Sequence, residues 1–166
     1  MSRVTDITGP AIERIYADAL AVFDAAVLDD GIPVPRVTLD LPSTDPEPFH
    51  VFVWGQAREF TSVGFLTSDV YLVSFKVRMT LIGSGSSSED AARVANSYLA
   101  TAVQITLCDT QLGGLVEEVG VPQITASEAW ADQSGRRHAG YAIEYEISKT
   151  VAADPAIKNL LGGLNE

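Results

Sequence analysis

The chain is short of cysteine, histidine and positive charge: one Cys, two His and eleven Lys plus Arg in 166 residues. A single thiol, Cys108, rules out an internal disulfide framework and cannot build a thiolate metal cage. Its place at a helix end reads as a small buried hydrophobe rather than a reactive thiol. The histidines are His50, at a strand start, and His138, beside Arg136 and Arg137 near a hairpin, so a serine nucleophile would depend on proximity that the sequence does not display. Against 22 acidic side chains the few basic ones leave a net charge of −11. Nucleic-acid binders neutralise phosphates with a basic excess, which is missing here. No apolar run approaches the ~20 residues that cross a bilayer. The N-terminal MSRVTDITGPAIERIYADA carries acidic residues where a signal peptide has its apolar core. The expectation is a soluble protein of a cytoplasm with no membrane partner.

What is present is an ordinary globular composition, 46% hydrophobic and 20% charged. A chain of this length forms one domain, 1–166, burying roughly 70% of its unfolded surface without staples. The negative charge is uneven: −6 over residues 1–48, −1 over 49–110 and −4 over 111–166. An acidic surface keeps a protein soluble, and it also lets DNA pass through a channel without sticking. Composition does not choose between these.

Thr8 as cap and Pro10 in the first turn open a helix within 1–30. Its apolar stripe is Ile12, Ile15, Tyr16, Ala19, Val22, Phe23 and Ala26, and Asp29-Asp30-Gly31 reads as a solvated turn. Residues 34–81 hold strands with loops at 42–48, rich in proline, and 58–69, where Phe60, Val63, Phe65 and Leu66 lack clean periodicity. Val70–Leu81 alternates best, with Tyr71, Val73, Phe75, Val77, Met79 and Leu81 on a core face. GSGSSS follows as a flexible connector, then a helix over 89–107 with Ser87 and Asp90, or Ser86 and Glu89, as a capping box. Residues 115–151 form a hairpin bent at Gly120-Val121-Pro122, with Tyr141, Ile143, Tyr145 and Ile147 facing one way. A short helix within the tail, 152–166, completes an α+β domain with a mostly antiparallel sheet and two main helices on one face.

Candidate sites are weak. The 83–90 loop has no Lys after its last Gly, and Ser88 replaces the third glycine of a dinucleotide fingerprint. Glu89 and Asp90 would also repel a phosphate, which weakens the alternative of a small phosphate- or nucleotide-binding domain. Ser84 and Ser86 do not sit in a nucleophile elbow. Glu117, Glu118, Glu144 and Glu146 make an acidic patch without calcium-site spacing, so a solvated or channel-facing surface is expected. Arg136-Arg137-His138 is the one dense basic cluster. Four large apolar groups between Arg58 and Asp69 either fold over the core or dock on another subunit. No catalytic group, cofactor or metal is expected.

The run CDTQLGG, from Cys108, and RHAGYAIEY, from Arg137, together with the order of elements, resembles the tail terminator (tail completion) family of long-tailed bacteriophages. The same pieces are shared with related minor tail and head–tail joining proteins, which remain the alternative. The resemblance implies an α+β fold and a hexameric ring with a central channel at the head-proximal end of the virion tail. It implies that the ring caps the tube of major tail protein, halts its polymerisation and presents a surface to head–tail connector proteins. It further implies assembly contacts in the segment before the central strand, here Arg58, Phe60, Val63, Phe65 and Leu66. Arg136 and Arg137 are further interface candidates, and Glu117, Glu118, Glu144 and Glu146 are candidates for facing a channel through which DNA passes without specific binding.

Overall fold

A computed structural model describes residues 5–26, 28, 31–39, 49–54, 60–66 and 69–163, with backbone alone at 5–8, 54, 60–62 and 65. Among the described residues one α-helix is followed by four strands, a second helix by three more strands, and a third helix closes the order. The first helix, α1 (Thr5–Ala25), begins earlier than its expected Thr8 cap, which places Pro10 inside it. Proline has no N–H, so the helix forgoes one rung there. Ala11, Ile15, Ala19 and Phe23 recur every fourth residue and are buried, with Ile12, Tyr16 and Val22 packed beside them.

The sheet is built around two long strands, β4 (Val70–Gly85) and β7 (Arg137–Ala152), paired antiparallel from Val70↔Ala152 to Gly85↔Arg137. Neither β2 (His50–Trp54) nor β3 (Phe60–Phe65) is long enough to cover the outer edge of β4 alone. β2 pairs with its second half and β3 with its first. The segment 58–69, expected as an irregular connection, therefore contains a strand. The long β4 supplies a partner edge that local periodicity does not reveal. On the other side β5 (Glu118–Val119) and β6 (Gln123–Ala131) share the edge of β7, separated by the expected break at Gly120-Val121-Pro122. β1 (Arg36–Leu39) pairs parallel with β2, the one parallel contact in the sheet among the described residues. The expected proline-rich loop 42–48 lies outside the described residues.

Alternation assigns the two faces. Val73, Phe75, Val77, Met79 and Leu81 of β4 meet Ile143, Tyr145 and Ile147 of β7 on the face covered by α1 and α2 (Ser88–Cys108). Each such side chain withdrawn from water contributes about 1.5–3 kcal/mol. Phe23 meets Tyr98 edge to face at 5.9 Å, joining the helices over the core. The buried stripe of α2 runs through Ala91, Val94, Ala95, Tyr98 and Ala102 to Ile105. Cys108, expected to be buried, is exposed, because Ile105 takes the inward position of that last turn. The final helix, α3 (Pro155–Gly162), buries none of its residues.

The GSGSSS segment is not a flexible connector. Ile82 to Gly85 continue β4 in register with β7, and α2 crosses directly over them. A Cβ on Gly83 would stand 2.5 Å from the Ala95 nitrogen, and one on Gly85 would stand 2.5 Å from the Asp90 Cβ. Glycine is required there because a helix backbone and a strand backbone touch.

Candidate functional site

Four features of chemical interest emerge. The first is the end of β4. Ser84 Oγ lies 2.7 Å from His138 Nδ1, and His138 Nε2 lies 2.9 Å from Asp132 Oδ2. Trp130 stacks on the imidazole at 5.4 Å. Asp132 also accepts from the Ser134 N–H and hydroxyl and from the Arg136 N–H. The Ser134 hydroxyl and His138 foremost hold this carboxyl far below the usual carboxylate range. The sequence offers Ser84 and His138 as separate candidates but displays neither their contact nor the part of Asp132 in this serine–histidine–aspartate chain. It forms only through the β4–β7 register, which sets Ser84 opposite His138. Its chemistry is that of a latch. Ser84 and His138 are 2% and 4% exposed, Ser84 is a strand residue paired with His138 in the β4–β7 ladder rather than the tip of an elbow, and the hydroxyl is enclosed where a nucleophile must be open to its substrate. His50, the other candidate base, is also buried, 2.7 Å from Thr38 Oγ1, and ties β1 to β2.

The second feature is the start of α2, the candidate phosphate cradle. Ser87 caps the helix by accepting from the Asp90 N–H, as expected, and Ser86 Oγ donates to the Asp90 carboxylate. The Asp90 and Ala91 N–H groups at this helix start are both met by Ser87, and α2 stands where a Cβ on Gly83 or Gly85 would lie.

The third is the sheet face away from the helices. Glu144 accepts from Lys76 at 2.5 Å and Arg78 at 2.9 Å, and these cations hold it below its ordinary range. Glu146 stands opposite Lys76 in register. Glu118 is paired with Ser148 on the same edge, and Glu117 accepts from the Thr150 N–H. The register thus brings Glu144 and Glu146 of β7, Glu118 of β5 and Glu117 just before it to neighbouring positions, but Glu144 is balanced by two cations from β4. Beside them Thr80, Ile82, Thr125, Ser127, Trp130 and Ala142 line an apolar hollow of about 250 Å³.

The fourth is the CDTQLGG turn. Asp109 ends α2, and its Oδ1 accepts from the Gly113 N–H at 2.7 Å. The chain then reverses through Leu112, Gly113 and Gly114, all at positive φ (49°, 67° and 89°), with the Leu112 side chain buried. Glycine is favoured at the second and third of these positions because a side chain there is strained. Leu112 accepts that cost for its place in the core.

Of the candidate assembly residues, Val63 and Leu66 are both 59% exposed. Arg136 lies 6.0 Å from the Phe49 ring, and Arg137 is exposed at the start of β7. Arg58 and the side chains of Phe60 and Phe65 lie outside the described residues. Among the described residues no group of three or more His, Cys, Asp or Glu is placed to hold a metal ion, and no helix is long and apolar enough to cross a membrane. In comparisons with known proteins, no family model and no curated protein matches the chain.

Proposed function

We propose that this chain is the subunit of a ring that terminates the tail tube of a long-tailed bacteriophage. The ring stops tube polymerisation and offers the joining surface for the head connector. The observation that carries the reading is the structural work done by the two segments on which the resemblance rests. CDTQLGG makes the positive-φ turn that leads from α2 into the sheet, and RHAGYAIEY makes the first half of β7 in the middle of that sheet. A sheet covered by helices on one face supports the same reading. Its edge strand β6 is exposed at all nine positions. It carries one charge, Glu128, and no proline, so it is poorly defended against another strand. Val63, Leu66, Arg136 and Arg137 are the described contact candidates, and Glu117, Glu118, Glu144 and Glu146 the candidates for the channel side. DNA passes the ring without specific binding.

Native mass spectrometry and negative-stain imaging, with and without tubes of the major tail protein, test this. Closed rings, free or seated on tube ends, are expected. A protein that stays monomeric even with tubes present overturns the assignment.

A further inference from the structure

Arg14 and Asp18 stand one turn apart on α1, and Arg14 also reaches Asp109 at the end of α2. The guanidinium offers a single Nε–H to two carboxylates, at 2.9 Å for Asp109 and 3.3 Å for Asp18. That hydrogen serves one of them well, not both. Asp109 is otherwise supplied, because Gly113 donates to its second oxygen. Asp18 is not: its Oδ2 is buried without a hydrogen-bond partner. An ionised oxygen held there gives up hydration and receives nothing in return. Two carboxyl groups with such unequal support share one proton, and it belongs on Asp18. The groups that line the hollow with Asp18 are Arg14 from its own helix and, from the end of α2, Asp109 and the Cys108 thiol. The turn contributes only the Gly113 N–H, which Asp109 takes.

We propose that Asp18, Asp109 and Arg14 form a proton-operated clamp that fastens α1 to the turn leading from α2 into the sheet, closed in mildly acidic solution and slack above neutrality. With the proton in place, a carboxyl–carboxylate hydrogen bond and the Arg14 ion pair act together. Without it, two negative charges compete for one guanidinium. Burial first, and the neighbouring Asp109 second, push Asp18 up to about 6, whereas the hydrogen bond from Asp18 helps to hold Asp109 below its usual range. A carboxyl raised on folding stabilises fully below its unfolded value of ~3.9 and loses that contribution as pH rises through its folded value. A carboxyl lowered on folding does the reverse, contributing above ~3.9 and fading as pH falls. The two contributions together are therefore greatest near pH ~4, and the clamp weakens as pH rises from there through about 6. It stands apart from the assembly reading and needs no second subunit.

The test is a carbon-13 titration of the Asp18 carboxyl in the intact chain, with melting temperatures at pH 5 and pH 7.5 for wild type and Asp18→Asn. An Asp18 midpoint near 6 is expected, falling only part of the way toward ~4 in Asp109→Asn because burial still raises it. Asp18→Asn, which cannot ionise, is expected to lose less of its melting temperature between the two pH values than wild type does. An ordinary carboxyl midpoint for Asp18 overturns the proposal, as does an unchanged pH slope in the Asn variant. If that variant fails to fold, the wild-type titration decides alone.

Discussion

At the scale of single residues, His138 does the most connecting. It joins strand to turn through Ser84 and Asp132 and supports the Trp130 indole. His138→Ala leaves the Ser84 hydroxyl enclosed without its imidazole and removes a stacked ring. The expected loss is about 2–4 kcal/mol, or roughly 4–16 °C in melting temperature at this chain length. Thermal unfolding followed by circular dichroism measures it. A neutral result would mean that the latch carries no load. Much of the core was legible residue by residue, because a period of two assigns Ile143, Tyr145 and Ile147 to one face without knowledge of their neighbours. The latch was not. Its members Ser84 and His138 lie 54 positions apart, and only the register between two strands brings them together. Cys108 was misread for a related reason: the phase of a helix decides which residue of its last turn points inward.

At the scale of elements, the crossing of α2 over β4 depends on Gly83. A methyl group there would collide with the backbone of Ala91 and Ala95, neither of which can rotate away. Gly83→Ala is expected to cost about 1–3 kcal/mol, measured by urea unfolding. Gly64→Ala serves as the control, since nothing lies within 4 Å of a Cβ there and its stability should change little. The helices and β4 were readable from apolar spacing alone. β3 was not, because it is a strand by virtue of the edge it meets rather than its own pattern. The Gly-Ser segment misled in the opposite direction. Glycine is as common in loops as it is necessary where two backbones touch, and only the crossing helix tells the cases apart.

At the scale of the whole molecule, copies of a chain of net charge −11 would meet in the proposed ring through surfaces that are apolar or locally balanced, since like charges repel. Val63 and Leu66 on and beside β3 meet that need, each 59% exposed. If the proposed ring closes through these residues, replacing both with Ser is expected to leave stability within ~0.5 kcal/mol of wild type while abolishing rings in native mass spectrometry. Rings that persist in the double variant would move the interface elsewhere, with β6 the next surface to probe. The overall α+β plan was legible from the order of elements. The parallel pairing of β1 with β2 was not, because the direction of a short strand leaves no mark on its composition.

The sixteen-residue pairing of β4 with β7 also decides how the molecule answers a mechanical pull. Tension applied at Gly85 and at Ala152, which lie at opposite ends of the pair, drags the strands past each other and strains every rung at once. Tension at Val70 and Ala152, which lie together, peels them apart one rung at a time. A tether that drew on the first pair of points would find a far tougher object than one that drew on the second.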